Sequence, residues 1–70
     1  MIVTDGLHLI EDEGDLPSLH TFARRLGLEH KWFQDHPRHP HYDLTTGRMR
    51  RKAVYLGAKV VPPRGLVRRP

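Results

Sequence analysis

The sequence predicts a small α+β domain, in which a sheet of short strands packs against two helices. The chain has 70 residues, the length of one small domain with a limited core. Short apolar segments bounded by Gly or Pro alternate along it with two segments whose apolar residues recur at helical spacing. We predict that residues 1–63 form this single domain and that residues 64–70 are a basic C-terminal tail.

The first element is a predicted hairpin. Two short apolar segments, residues 1–4 and 7–10, are separated by Asp5 and Gly6. An Asp-Gly pair between two apolar segments is typical of a tight turn between antiparallel strands. In the second segment His8 alternates with leucines, so we expect its side chain to point away from them.

The first helix is predicted over residues 16–26. Asp15 can cap it, Pro17 suits its first turn and Gly27 suits its end. The residues of its buried face recur at helical spacing, namely Leu16, Leu19, Phe22, Ala23 and Leu26. His20 lies at the edge of that face, and we expect it to look into a site beside the core.

The second half of the chain predicts further short elements. Pro37 and Pro40 exclude a regular helix around them and keep the chain extended. The other elements are bounded by Gly or Pro: a short strand or anchored loop over residues 31–33, a strand over 41–44, a helix from a Thr45 or Thr46 cap to about residue 56, and a strand over 58–61.

Composition excludes several classes of protein. The chain has no cysteine, which excludes disulfides and cysteine-ligated zinc sites and favours a reducing, cytoplasmic setting. No apolar run approaches the ~20 residues that span a bilayer, and no signal peptide is evident, so we expect no membrane partner. A domain this small without disulfides needs other support, such as a metal ion, a partner protein or a second copy of itself in a homo-oligomer.

Charge is unevenly divided along the chain, whose formal net charge is +4. Residues 1–15 contain acidic residues and no Lys or Arg, whereas residues 48–70 contain Lys and Arg and no acid. The basic block favours an anionic partner, which could be nucleic acid, a phosphorylated small molecule or an acidic protein surface. A solvated helix face with a basic tail is the alternative. The aromatic residues that could stack on bases are Trp32, Phe33 and Tyr42.

The segment over residues 36–43 is rich in histidine and proline. On an extended chain His39, His41 and Asp43 share one face, and two histidines at this spacing can ligate one ion. His39 and His41 are therefore candidate ligands for a divalent metal such as zinc, and the alternative is that these histidines form hydrogen bonds or lie at the surface beside proline. The candidates for a third ligand are His8, His20 and His36. Without a metal, His41 as base and Asp43 as its orienting carboxylate could exchange protons instead.

Several motifs resemble those of one family. They are His8-Leu9-Ile10-x-Asp12, Leu19-His20-x-Phe22-Ala23, Trp32-x-Gln34, His41-Tyr42-Asp43, Arg51-Lys52-Ala53-Val54-x-Leu56-Gly57-Ala58 and Leu66-Val67-Arg68. With them the chain resembles DUF4031, a bacterial and bacteriophage family of unknown function, over about residues 7–69. Members usually begin with an additional strand that ends in paired aspartates, which residues 1–6 are too short to supply.

That resemblance implies a bacterial or phage-encoded protein but no known reaction. It directs attention to a set of polar and aromatic positions, namely His8, His20, Trp32, Gln34, His41, Tyr42 and Asp43.

We expect a domain that binds an anionic ligand, either nucleic acid or a phosphorylated small molecule. Its pocket, and the catalytic groups if it is an enzyme, would comprise His8, His20, His41 and Asp43. The ligand would also contact Trp32, Gln34 and Tyr42, while Arg38, Arg48 and Arg51 would hold its negative charge. A metal-dependent or acid–base phosphoester hydrolase using the same residues is the alternative, and a phage-type protein that binds a host protein is the third.

Overall fold

Four short strands form one sheet in the computed structural model, which describes residues 1–62. The strands are β1 (Ile2–Thr4), β2 (His8–Glu11), β3 (Tyr42–Asp43) and β4 (Lys59–Val60). The helices are α1 (Leu16–Leu26) and α2 (Gly47–Tyr55), and a single 3₁₀ turn spans His30–Trp32. The predicted α+β fold is confirmed, while the predicted tail, residues 64–70, lies outside the described residues.

The strands lie in the order β3-β2-β1-β4. β1 and β2 form the predicted antiparallel hairpin, β3 pairs antiparallel with β2, and β4 runs parallel to β1. In the hairpin turn Gly6 has φ of 98°, a conformation that other residues rarely adopt. The register between β2 and β3 sets His8 opposite Asp43 and Leu9 opposite Tyr42, so it brings together residues that are far apart in sequence.

Alternation of side chains divides the sheet into two faces. One face packs against the helices, with Leu9, Thr4 and Tyr42 fully buried. The core on this side comprises Leu9, Leu19, Phe22, Ala23, Leu26, Leu28, Tyr42, Leu44, Ala53 and Ala58. The residues that alternate with Leu9 and Tyr42 therefore emerge on the opposite face, and His8 and Asp43 are among them.

Helix α1 has the predicted bounds, Leu16–Leu26. The carboxylate of Asp15 accepts a hydrogen bond of 3.2 Å from the N–H of Ser18, and Gly27 ends the helix with φ of 100°. Each end of α1 is therefore set by a neighbouring residue: the Asp15 side chain at the start and the positive φ of Gly27 at the end.

Helix α2 begins after Thr46, whose hydroxyl accepts a hydrogen bond of 3.1 Å from the N–H of Met49. Of its residues only Ala53 is buried, because arginine and lysine surround a narrow apolar stripe. Within residues 1–62 no helix has the length and apolar character needed to cross a membrane.

For residues 31–33 the sequence left open a short strand or an anchored loop, and the structure has no strand there. The segment makes the 3₁₀ turn, in which the backbone N–H of Trp32 donates to the carbonyl of Glu29 at 2.9 Å. Gln34 then pairs with His41 in an isolated antiparallel bridge, with backbone hydrogen bonds of 2.8 and 3.0 Å. This bridge closes the proline-containing loop at its base and holds His41 beside β3.

Candidate functional site

His8, His41 and Asp43 converge on the sheet face opposite the helices. We call these three residues the His–Asp cluster. Nε2 of His41 lies 3.4 Å from Oδ1 of Asp43, and Nε2 of His8 lies 3.9 Å from the same oxygen. The two imidazole rings meet edge to face, with centroids 5.2 Å apart. One nitrogen or oxygen atom from each residue lies within 4.8 Å of the others, so the cluster has the size of a single site.

Strand geometry explains why these three side chains meet. His8 and Asp43 are direct partners in the register of β2 and β3. His41 precedes Asp43 by two positions, so its side chain emerges on the same face. The separate bridge to Gln34 pairs the backbone of His41, one residue before β3 begins, and keeps His41 in this extended geometry.

Both histidines are oriented through their Nδ1 atoms. Nδ1 of His41 lies 2.6 Å from the carbonyl oxygen of His39, and because a carbonyl only accepts, this nitrogen carries the proton. Nδ1 of His8 lies 3.1 Å from a carboxylate oxygen of Asp5. In the neutral imidazole the proton on Nδ1 leaves a lone pair on Nε2. In this tautomer the lone pair of each ring is on the side that faces Asp43.

The Asp5 carboxylate is well placed to fix the His8 ring. Its side chain is only 7 % exposed. Burial acts to raise the pKa of Asp5, but hydrogen bonds from the N–H of Leu7 and from the ring and N–H of His8 outweigh it, so the pKa lies below its ordinary value. Asp5 is therefore ionised at neutral pH and holds a proton on Nδ1 of His8.

Asp43 is oriented as well. The side-chain amide of Gln34 donates to Oδ2 of Asp43, which leaves Oδ1 directed at the two histidines. Gln34 thereby has two roles, because its backbone positions His41 and its side chain positions Asp43.

The spacing within the cluster is that of metal ligands. The distances of 3.4 and 3.9 Å to Oδ1 of Asp43 exceed those of ordinary N–H···O hydrogen bonds, about 2.7–3.2 Å. Two ligands about 2.1 Å from one zinc ion at a tetrahedral angle lie about 3.4 Å apart. Two imidazole nitrogens and one carboxylate oxygen also form a donor set that zinc accepts. The cluster can therefore hold a divalent ion after small side-chain movements.

An open groove begins at Asp43. Its volume is about 430 Å³, and it is lined by Leu28, Trp32, Gln34, Asp43, Thr45 and Met49. We call it the Trp32 groove, because the indole is its large aromatic side chain and is 45 % exposed. Small-molecule sites typically measure about 300–1,000 Å³, so the groove is large enough for a small ligand that also reaches the cluster.

His20 and Tyr42 lie on the helix side of β3. The Tyr42 hydroxyl shares a hydrogen bond of 2.7 Å with Nδ1 of His20, and the His20 ring packs edge-on against Phe33 at 4.6 Å. Burial, then the charges of His30 and Arg24, lower the pKa of His20. Burial also raises the pKa of Tyr42. The neutral His20 ring and the protonated Tyr42 hydroxyl are therefore paired on the helix side of β3. Neither residue belongs to the His–Asp cluster.

The His39 ring is also apart from the cluster. It stacks on His36, with centroids 5.9 Å apart and ring planes 19° from parallel. What His39 contributes to the cluster is its carbonyl oxygen, which accepts from His41. The structure thus brings His41 together with His8 and Asp43, and it places the two other histidines of the segment in the preceding loop.

The arginines expected to hold negative charge lie in two places. Arg38 is exposed in the loop before β3, and its N–H donates to Nδ1 of His36. Arg48 and Arg51 are exposed on α2. Arg51 lines a second groove, whose other lining residues are Thr4, Gly6, Arg50, Val54 and Val60.

Asp5 is a candidate site residue that the sequence alone does not identify. The sequence indicates it only as the first residue of the hairpin turn, and it does accept the N–H of Leu7 at 2.8 Å in that role. The signal that could have identified it is its spacing: an aspartate three residues before a histidine in a turn can reach both the backbone and the ring.

Comparison with known proteins supports the resemblance found in the sequence. A family model described as a protein of unknown function, DUF4031, matches residues 5–70. That range includes all three residues of the His–Asp cluster and Asp5. No curated protein and no solved structure matches the chain. Since the match covers nearly the whole length, the chain belongs to the DUF4031 family.

Proposed function

We propose that the protein binds a divalent metal ion of the zinc class and, through it, an anionic oxygen of a phosphorylated ligand. The ligand atoms are Nε2 of His8, Nε2 of His41 and Oδ1 of Asp43. The observation that carries this proposal is the convergence of these atoms while both Nδ1 atoms are tied to acceptors. Such acceptors are the usual companions of metal-bound histidine, where they fix the tautomer and increase the basicity of the ligating nitrogen.

Two features favour an anionic ligand: the open position that three protein ligands leave on the ion, and the net charge of the chain. Three protein ligands leave a tetrahedral ion with one open position, which is the pattern of catalytic and ligand-binding zinc sites. His8 is 40 % exposed and Asp43 is 45 % exposed at their side chains, so a ligand can reach that position from solvent. The formal net charge of +4 further favours an anion.

Hydrolysis of a phosphoester is the second candidate function, favoured by the same solvent access. An ion with three protein ligands can lower the pKa of its bound water toward ~7 and so supply a nucleophile at neutral pH. Asp5 would then act indirectly, because its contact with Nδ1 of His8 favours the tautomer in which Nε2 can bind the metal.

The metal proposal is tested by elemental analysis of protein purified without chelator or nickel resin, followed by calorimetric titration with zinc. We expect a bound divalent ion or a stoichiometric zinc site, lost in His8→Ala, His41→Ala and Asp43→Asn. His36→Ala and His39→Ala are the matched controls and should bind zinc as the wild type does, because the His39 carbonyl survives the substitution. A wild-type protein without zinc affinity, or a His39→Ala loss equal to that of His41→Ala, would overturn the assignment.

Hydrolysis is measured separately on the zinc-loaded protein with a chromogenic phosphate diester. The second candidate requires turnover that disappears in Asp43→Asn. A protein that binds zinc but shows no turnover would retain the binding function and lose the enzymatic one.

A further inference from the structure

We infer that the Trp32 groove holds the base of a nucleotide whose phosphate meets the metal ion at the His–Asp cluster. This inference rests on the proposed function and names its ligand class as a nucleoside phosphate. A free mononucleotide and the terminal nucleotide of a single strand present the same chemistry to such a site.

The walls of the groove suit a flat aromatic group. Leu28 and Met49 supply aliphatic surface, and Trp32 supplies an indole that is 45 % exposed. Exposed aromatic side chains stack on the π-face of any base, and the flexible Met side chain adapts to different shapes. The backbone N–H of Trp32 donates to the carbonyl of Glu29 in the 3₁₀ turn, so the backbone that carries the indole is hydrogen-bonded within that turn.

Polar groups at the groove match the edges of a base. Gln34 and Thr45 both line it. The Gln34 amide donates to Asp43 and still offers its oxygen as an acceptor, while the Thr45 hydroxyl can donate or accept. These two adaptable polar groups, beside the apolar surface of Leu28, Trp32 and Met49, would orient a base and leave its identity open.

The Trp32 groove adjoins the His–Asp cluster, which would bind the phosphate end of the ligand. Asp43 lines the groove and also belongs to the cluster, since its Oδ1 faces both histidines. Asp43 is therefore shared by the place proposed for the base and the place proposed for the ion. A ligand with an aromatic end and an anionic end fills both places, whereas inorganic phosphate fills only one.

The experiment uses the fluorescence of the single tryptophan in the chain. The zinc isotherm is measured first on the full chain, and the zinc-loaded protein is then titrated with AMP, adenosine and inorganic phosphate. We expect saturable quenching by AMP, and affinities at least about tenfold weaker for adenosine and for phosphate, because stacking and ion contact each contribute about that factor. A 5′-phosphorylated oligonucleotide that binds more tightly than AMP would identify a strand as the source, and equal affinities would identify the free nucleotide.

Calorimetry on Trp32→Ala separates the groove from the metal. We expect AMP affinity to fall about tenfold with zinc affinity unchanged. Tyr55→Ala, which removes an aromatic side chain that is 88 % exposed on α2, is the matched control and should leave AMP affinity unchanged. AMP binding that Trp32→Ala does not weaken, or zinc-loaded wild type that binds no AMP, overturns this inference alone. A wild type that binds no zinc overturns the proposed function, and the inference falls with it.

Discussion

His8 and Asp43 face each other across the paired strands β2 and β3, with Nε2 of His8 3.9 Å from Oδ1 of Asp43. Neither residue is oriented by the other, because each has a closer hydrogen-bond partner. Asp5 contacts Nδ1 of His8, and Gln34 donates to Oδ2 of Asp43. The two side chains are thus aimed at the same point from opposite strands. This arrangement makes the supporting residues as informative to mutate as the proposed ligands.

Substitution of Asp5 by Asn should weaken zinc binding without disrupting the hairpin. The Asn oxygen can still accept the N–H of Leu7 and His8, as Oδ1 of Asp5 does. The negative charge that holds the proton on Nδ1 of His8 is lost, and losing the hydrogen-bond partner of a metal-binding histidine costs about 10- to 100-fold in metal affinity. Calorimetric titration with zinc measures the change.

The control for this substitution is Asp35→Asn, which removes the negative charge of an exposed aspartate in the proline-containing loop before β3. It should leave zinc affinity as in the wild type. Equal effects of the two substitutions would indicate a general loss of negative charge and would contradict a specific role for Asp5.

His20 should make stability depend on pH below neutrality. Its pKa in the folded protein is lowered, first by burial and then by His30 and Arg24, whereas in the unfolded chain it lies near ~6.5. The unfolded state therefore binds more protons as pH falls through ~6.5, and the free energy of unfolding decreases in that direction. Urea denaturation of metal-free protein at pH 7.5 and 5.5 should show this loss.

The comparison that isolates His20 is the same pair of denaturation curves for His20→Gln and for His36→Gln. The decrease between the two pH values should be smaller in His20→Gln than in the wild type, since the titrating group is gone. His36 is exposed, and its substitution should leave the decrease unchanged. If the wild type and His20→Gln lose equal stability, His20 is not the source.

Local features of the fold could be predicted from the sequence because local residues determine them. Asp15 and Gly27 bound α1, and each makes the capping interaction that its position indicates. The hairpin turn at Asp5 and Gly6 depends likewise on neighbouring residues. Secondary structure of this kind needs no knowledge of what packs against it.

The composition of the site depended on pairing that the sequence does not encode locally. His8 meets Asp43 only because of the register between β2 and β3, which the tertiary fold determines. His20 was expected in the same pocket, but α1 packs on the opposite face of the sheet, where Tyr42 points. The position of His20 on its own helix indicated its exposure but not which face of the sheet it would meet.

Removal of the Tyr42 hydroxyl should destabilise the protein without affecting the proposed metal site. Tyr42 is among the largest fully buried side chains, and its hydroxyl is hydrogen-bonded to Nδ1 of His20. Tyr42→Phe leaves that nitrogen without its partner, which costs about 1–2 kcal/mol in the free energy of unfolding. Urea denaturation measures the loss, and zinc titration should give the wild-type affinity.

Tyr55→Phe is the control for this substitution, because the Tyr55 side chain is exposed on α2 and its hydroxyl has solvent around it. Its free energy of unfolding should match that of the wild type. A Tyr42→Phe variant of wild-type stability would mean that the pair with His20 contributes nothing to the fold.

Two neighbouring threonines provide a test of how α2 begins. The sequence offers Thr45 and Thr46 equally as the cap, but the hydroxyl of Thr46 accepts the N–H of Met49, whereas Thr45 lines the Trp32 groove. Thr46→Ala should therefore lower the free energy of unfolding by about 1 kcal/mol, the usual cost of losing a capping oxygen. Thr45→Ala should leave stability unchanged, with both measured by urea denaturation of metal-free protein. Because the two substitutions remove the same atoms from adjacent positions, the opposite order of stability would place the start of the helix one residue earlier.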